Sequence, residues 1–285
     1  MAQQAEKKSV FKSEEGKTAI LSFYDKLLEG WSVQLKKHIV KSRHGDIFVL
    51  EAGDIEKPAL ILLHGSGSNS AVWAGEIKEY IEHFRVLAVD MPGEPGHSCQ
   101  YRPDLNSAAP AEYLEDVFNA FEISQAAIIG MSLGGWTALK FATAFPEKVS
   151  RLILVSTSGI GPQKISFIFK AIFTLMLGRP VTESSLSNLS QGQKIDPVAV
   201  EYLSLIFKNF SPYTGKLPIF SDEELKKLNM PVMLTVGEND IMLDQRKTAH
   251  RLAALLPEAR INLLPGTGHF IFEQQKRNIE FLTAC

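Results

Sequence analysis

Ser132 stands at the centre of Gly130-Met131-Ser132-Leu133-Gly134, which fits the G-x-S-x-G pattern of a nucleophile elbow. In such an elbow the serine sits on a sharp turn from strand to helix, with its hydroxyl exposed. The flanks strengthen a match that five residues alone leave weak. Gln125-Ala126-Ala127-Ile128-Ile129 is a short apolar run that reads as a buried strand, and the residues from Gly135 to Ala142 read as a helix. Glycine two residues either side of the serine allows a turn too tight for a side chain. The bland alternative is an ordinary glycine-rich turn, which would need no chemical partners elsewhere.

A serine hydroxyl is a poor nucleophile until a base takes its proton, and that base is usually a histidine oriented by a carboxylate. Of the seven histidines, His269 stands out because Gly266-Thr267-Gly268-His269-Phe270 directly follows the last apolar strand. A loop there points to the same sheet edge as the elbow. Asp240, in Val236-Gly237-Glu238-Asn239-Asp240, also follows a strand and is the expected acid. Glu238 and Asp244 compete with it, although Asp244 reads as the cap of the next helix. Acyl transfer through such a serine develops an oxyanion, which needs backbone N–H donors. Leu133 should supply one. The loop His64-Gly65-Ser66-Gly67 should supply the other, with Ser66 preferred and Gly67 the fallback. His64 is expected to bond loop backbone, Asp90 to organise a turn, and His97 to be a solvated loop histidine. Trp136, Phe141 and Phe145 follow helical spacing and are read as core.

These residues need elements to position them. An amphipathic helix is expected from about Thr18 to Trp31, after a polar tail. Strands are expected at Val33–Lys41, Asp46–Glu51, Ala59–Leu63, Arg85–Asp90, Gln125–Ile129, Leu152–Val155, Val232–Val236 and Arg260–Leu264. Helices are expected at Ala71–Glu82, Ala111–Phe121, after the elbow, at Gln245–Leu256 and at Phe272–Leu282. Apolar strands alternating with helices imply a mainly parallel sheet covered on both faces, here with eight strands. The strand signal stops between Thr157 and Asp222. That stretch is expected to be a helical cap inserted after the sixth strand, over the edge where open α/β sheets bind ligands. The expected organisation is therefore a tail and helix at 1–32, a core at 33–156 and 223–285, and a cap at 157–222. Met131, Phe169, Phe173 and Phe270 are the apolar residues expected to face a substrate.

Composition sets the class. A chain of 285 residues with 45% hydrophobic and 22% charged residues has material for one large core. A net charge of −2 with dispersed Lys and Arg gives no nucleic-acid stripe. Cys99 and Cys285 form neither a metal pattern nor a disulfide framework. Met1 to Lys17 lacks the apolar core of a signal peptide, so a cytoplasmic location is expected. Ile165–Leu177 is interrupted by Lys170 and is shorter than the roughly 20 residues of a membrane span. No cofactor or metal is expected.

Taken together, His64–Gly67, the Asp90–Ser98 loop, Gly130–Gly135, Gly237–Asp240 and Gly268-His269 resemble the α/β-hydrolase superfamily, from about Leu35 to Leu282. The order Ser…Asp…His agrees with that resemblance. Within the superfamily the chain resembles the lidded carboxylesterases of the Bacillus type. Phe23-Tyr24-Asp25…Trp31 matches that group's N-terminal helix-and-Trp segment, and Phe220–Leu225 matches the segment before its seventh main strand. Two departures stand out: an extra Glu-Pro in the Asp90–Ser98 loop, and Gln275 where many members have proline.

The resemblance implies a serine hydrolase cleaving small uncharged carboxylic esters, with Ser132, Asp240 and His269 as its catalytic group. Ser132 argues against the dehalogenases and epoxide hydrolases of this scaffold, which use aspartate. Carbon–carbon bond hydrolases, perhydrolases and amidases keep the serine and stay open, as does a triad-bearing sensor with slow turnover. The expected partner is a small-molecule ester, with no nucleic acid and no membrane span; homo-oligomerisation stays open.

Overall fold

Eight strands form one sheet, in the order β1-β2-β4-β3-β5-β6-β7-β8. The computed structural model describes residues 9–164, 191 and 195–284. The strands are β1 (Lys36–Ser42), β2 (Gly45–Ala52), β3 (Ala59–Leu63), β4 (Arg85–Val89), β5 (Ala126–Met131), β6 (Val149–Val155), β7 (Val232–Gly237) and β8 (Arg260–Leu264). β2 runs antiparallel to both β1 and β4, and all other neighbours are parallel.

Alternation along the strands divides the core between the two faces. Ile61, Leu63, Ile128 and Leu154 pack with Leu114, Phe118, Leu139 and Phe141 of helices α3 (Ala109–Ala120) and α4 (Leu133–Ala144). Leu60, Leu62, Ile129 and Ile153 pack on the other face with Ile20 and Tyr24 of α1 (Glu14–Glu29) and with Tyr80 and Phe281. Both faces of the central strands are therefore dry, which explains their unbroken apolar runs. Trp136 and Phe141 are core residues, as expected, and Phe145 packs against them half-buried.

Several bounds differ from the sequence expectation: β1 starts at Lys36 rather than Val33, and the last helix at Gln275 rather than Phe272. Helix α1 starts at Glu14 because the Ser13 side chain accepts the Gly16 amide, with Glu14 and Glu15 favourably placed in the first turn. The helix expected over Ala71–Glu82 is broken into a 3-10 turn, Ser70–Trp73, and a short helix, α2 (Ile77–Tyr80). Gly75 lies in the gap, and the Asn69 side chain caps the first piece through the Ala71 amide. His97 is not a solvated loop residue: its Nε2 lies 3.1 Å from Asp25 Oδ1 and its ring stacks 5.3 Å from that of Tyr24. Asp90, fully buried, receives the Tyr24 hydroxyl at 3.0 Å and the Ser70 and His97 amides at 2.9 Å each. The turn after β4 and the N-terminal helix are thereby one unit.

In the region expected as a cap, the described residues include the helix Pro197–Asn209, capped by Asp196. It lies against the N-terminal segment: Lys12 N–H donates to the Asn209 carbonyl and Ser211 N–H to the Val10 carbonyl, each at 2.8 Å. The Phe23 and Tyr202 rings stack at 5.1 Å, and the Asn69 amide donates to the Tyr202 hydroxyl at 2.6 Å. Phe169 and Phe173 lie outside the described residues, as do Lys170 and Cys285. No described helix is long and apolar enough to cross a membrane.

Candidate active site

The sheet register brings the chemistry to one edge. Leu63 pairs with Gly130, Gly130 with Leu154, Leu154 with Leu234 and Leu234 with Ile261. The loops bearing Ser66, Ser132, Asp240 and His269 all leave the sheet just beyond that row.

Ser132 links β5 to α4 with φ 50° and ψ −109°, a conformation disfavoured for a residue with a side chain. Its amide donates to the Val155 carbonyl at 2.9 Å, and its carbonyl receives the Trp136 amide at 3.0 Å. A Cβ on Gly130 would lie 2.5 Å from the Gly134 oxygen, and one on Gly134 would lie 2.3 Å from the Leu63 oxygen. Neither position accepts a side chain, which is why the glycines flank the serine.

The His269 Nε2 lies 3.1 Å from Ser132 Oγ, and its Nδ1 lies 2.8 Å from Asp240 Oδ2. His269 is 6% exposed and Asp240 is 0% exposed, so water competes little for either contact. The His269 carbonyl is fixed by the Ser156 hydroxyl at 2.8 Å. The loop after β7 is tied to it, with Glu238 N–H on the Leu264 carbonyl at 3.0 Å and Asn239 N–H on the Thr267 carbonyl at 2.9 Å. Asp240 Oδ1 accepts the Met242 and Leu243 amides at 2.7 and 3.1 Å, and Oδ2 also accepts the Gln245 amide at 2.7 Å. Burial pushes the Asp240 carboxyl up, but the imidazole beside it and these donors outweigh burial and hold it below the usual carboxylate range. It is an anion at neutral pH. An anion at Nδ1 keeps the proton there and leaves Nε2 free to accept one from the serine.

The two competing carboxylates have other occupations. Glu238 pairs with Arg246, and Asp244 caps the helix Gln245–Leu255 through the Lys247 amide at 3.2 Å. The Lys164 ammonium donates to the Asp240 carbonyl at 2.5 Å.

Across the site, the loop after β3 packs against the elbow: a Cβ on Gly65 would lie 3.6 Å from Ser132 Cβ. His64 accepts the Met91 amide on Nε2 at 2.9 Å, so its proton sits on Nδ1, 2.8 Å from the Gly65 carbonyl. Burial holds this imidazole below its ordinary range, and it is a neutral backbone clamp. Leu133 opens α4, where a first-turn amide has no acceptor in its own helix. The Gly67 amide is taken by the buried Glu94 carboxyl at 2.6 Å, whereas the Ser66 amide has no acceptor among the described residues. Of the two loop donors weighed from the sequence, Ser66 is the one available to a ligand.

Met131 and Phe270 are half-buried, and Phe270 follows His269 with ring centroids 6.1 Å apart. Sequence reading did not single out Phe207 of the helix Pro197–Asn209. Its Cζ would lie 4.0 Å from a Cβ on Gly67, in the loop after β3. Gln245 and Glu94 were also missed as site neighbours. The extra Glu-Pro was the one visible sign of Glu94. The described residues hold no group of three or more His, Cys, Asp or Glu able to bind a metal ion.

A family profile described as alpha/beta hydrolase fold matches residues 58–177. The chain is 31% identical over 241 residues to the pimeloyl-[acyl-carrier protein] methyl ester esterase of Aliivibrio fischeri (strain MJ11), covering 79% of this chain and 90% of that protein. The chain belongs to the alpha/beta hydrolase fold family. Among the members of that family it is similar to carboxylesterase YbfK of Bacillus subtilis (strain 168), with 29% identity over 265 residues and 88% of each chain covered. The crystal structure of carboxylesterase CesB (YbfK) from Bacillus subtilis matches this alpha/beta hydrolase with a TM-score of 0.84 at 26% identity, covering 94% of this chain and 99% of that one. The family and the Bacillus-type resemblance read from the sequence are both met.

Proposed function

We propose that this alpha/beta hydrolase is a serine esterase that cleaves small uncharged carboxylic esters through an acyl-enzyme on Ser132. The observation that carries the proposal is the continuous relay from Asp240 Oδ2 to His269 Nδ1 at 2.8 Å and from His269 Nε2 to Ser132 Oγ at 3.1 Å. The likeness to proteins named carboxylesterases supports ester cleavage over the other serine chemistries of the fold.

In the first half-reaction, Ser132 Oγ forms a bond to the ester carbonyl carbon as its proton passes to His269 Nε2. The carbonyl π pair becomes an oxyanion, held by the Leu133 and Ser66 amides. Collapse breaks the carbon–oxygen bond to the alcohol, which leaves with the proton from His269. Water then enters by the same steps in reverse roles and releases the acid. Asp240 stays ionised throughout and stabilises the imidazolium that forms between the steps.

The neighbourhood supports an uncharged substrate. Met131, Phe207 and Phe270 are half-buried apolar side chains, next in sequence to Ser132, near Gly67 and beside His269 respectively, and a charged ester buried among them would need a partner. Residues 157–222 are proposed as the cap, with the helix Pro197–Asn209 bringing Phe207 over the site.

The test is covalent labelling by a fluorophosphonate probe, followed by identification of the modified residue and assay of p-nitrophenyl esters of graded acyl length. Label on Ser132, with labelling and turnover both lost in Ser132→Ala, is expected. Full ester turnover by Ser132→Ala would overturn the assignment.

A further inference from the structure

Glu94 is a buried carboxyl group that the reaction above does not use. It is 3% exposed and stands in the turn after β4, at the insertion that departs from the common form of that loop. Its side chain does not serve its own turn. It reaches across to the loop after β3, where Oε2 accepts the Gly67 amide at 2.6 Å and both oxygens lie 3.3–3.4 Å from the Ser66 hydroxyl. Its carboxyl group therefore touches the loop that carries the Ser66 amide. Glu94 also lines a small pocket with Leu133, Tyr113 and Thr137.

Glu94 is itself held from behind. Its amide donates to the Met91 carbonyl at 3.2 Å, and its carbonyl receives the Gly96 amide at 2.8 Å. Arg102 braces the turn by donating to the Gly93 and Ser211 carbonyls at 3.0 and 2.8 Å, with its guanidinium 5.7 Å from the centre of the Phe210 ring. An apolar side chain would fill such a dry position at less cost than a carboxyl group. Burial indeed pushes Glu94 up to about 7, with the Gly67 amide, Arg102 and Ser66 pulling the other way. A costly group that makes its strong bond to a loop amide beside the nucleophile is placed there for that bond.

We propose that Glu94 is the positioning residue of the oxyanion loop. Its carboxyl group takes the Gly67 amide and the Ser66 hydroxyl, and so fixes the peptide that leaves the Ser66 amide open to the substrate oxygen. The inference rests on the assignment of Ser132 and of the Ser66 and Leu133 donors above.

Because the oxyanion exists only in the transition state and the tetrahedral intermediate, loss of the clamp lowers kcat and leaves KM nearly unchanged. The variants are Glu94→Leu, Glu94→Asp and Glu94→Gln, assayed with p-nitrophenyl butyrate beside Ser132→Ala. Inhibition by a short alkyl trifluoromethyl ketone is the second readout. Ser132 Oγ adds to its carbonyl carbon, the proton passes to His269, and the resulting oxyanion occupies the same donors.

Glu94→Leu should lower kcat by about ten- to a hundredfold, below the effect of deleting an oxyanion donor outright. Affinity for the ketone should fall in step. Glu94→Asp keeps the charge but withdraws it by one methylene, so it should show a smaller loss of the same kind. Glu94→Gln retains an acceptor for Gly67 and should recover most of the activity lost in Glu94→Leu. If Glu94→Leu does not fold, Glu94→Asp decides. Wild-type kcat and ketone affinity in Glu94→Asp, or a loss confined to KM, would overturn the role of Glu94. Turnover surviving in Ser132→Ala would instead overturn the underlying assignment.

Discussion

The Gln245 side-chain amide donates to Asp240 Oδ2, the same oxygen that faces His269, at 2.7 Å. Gln245 is 2% exposed, and its own carbonyl oxygen has no hydrogen-bond partner among the described residues. Its contribution is therefore directed at the carboxylate. Gln245→Leu keeps the volume and removes the bond. A hydrogen bond to a charged group contributes about 1.5–3 kcal/mol, so unfolding in denaturant should show a loss of that order. If about 1.4 kcal/mol of it is felt in the transition state, the rate falls about tenfold. The pH effect has a definite sign. Asp240 is held below the usual carboxylate range, so its pairing adds stability at neutral pH that is lost as pH falls through the folded-state value. With one donor removed, that loss should begin at a higher pH. Unchanged acid stability together with unchanged kcat would mean that Gln245 only fills space.

Asp240→Asn tests the acid directly. The amide would offer an N–H to His269 Nδ1 and favour the tautomer with its proton on Nε2, facing the serine. A rate loss of roughly ten-thousandfold is expected from that mechanism. Glu238→Gln and Asp244→Asn should stay near the wild-type rate, because those groups are engaged with Arg246 and the Lys247 amide. A large loss in either of them, with a small one in Asp240→Asn, would move the acid role.

Glu94 gives a pH dependence of the opposite sign to Asp240. Its folded-state value of about 7 lies above the ordinary value of 4.5, so the folded chain binds the proton more readily than the unfolded chain. Stability should therefore fall as pH rises from about 4.5 to 7, by up to about 3 kcal/mol at roughly 1.4 kcal/mol per pH unit. Arg102 faces the carboxylate and offsets part of that fall, whereas the Tyr113 hydroxyl stays neutral, pushed upward by burial. Glu94→Gln removes the titration. Relative to wild type it should be more stable at pH 8 than at pH 5, measured by urea unfolding. An equal stability difference at both pH values would contradict this account.

The sequence was most legible where local chemistry decides the structure. Ala59–Leu63 and Arg260–Leu264 are strands over those same residues, because each apolar run is bounded by turn residues. The elbow was legible because its glycines have no room for a Cβ. What escaped depends on tertiary placement. Nothing in the spacing says that Glu94 turns back 27 residues to Gly67, or that His97 stacks on a helix near the N-terminus. The pairing of Phe207 with Gly67 likewise joins a helix and a loop 140 residues apart in sequence, through the packing of that helix on α1. The helix over Ala71–Glu82 was misread because its periodicity is real, but Gly75 and the Asn69 cap break it. Phe169 and Phe173, chosen from the apolar run, lie outside the described residues.

Phe207 supplies the last prediction. It projects from the helix Pro197–Asn209 toward Gly67 and is half-buried, so its ring limits the space above the proposed oxyanion loop. Truncation to Ala opens that space. Tyr202 and Ile206 are buried neighbours on the same helix and hold it in place, so the change should be local. Each additional substrate methylene that becomes buried contributes about 0.8 kcal/mol, or about fourfold in kcat/KM. Across p-nitrophenyl esters of increasing acyl length, the wild-type profile should rise and then drop where the pocket is full. Phe207→Ala should move that maximum to longer chains and lower the rate on the shortest ones, which lose an apolar contact. If instead the ring packs only on the protein, Phe207→Ala would lower stability and leave the shape of the profile unchanged. The position of the maximum, rather than the absolute rate, therefore decides whether Phe207 sets specificity.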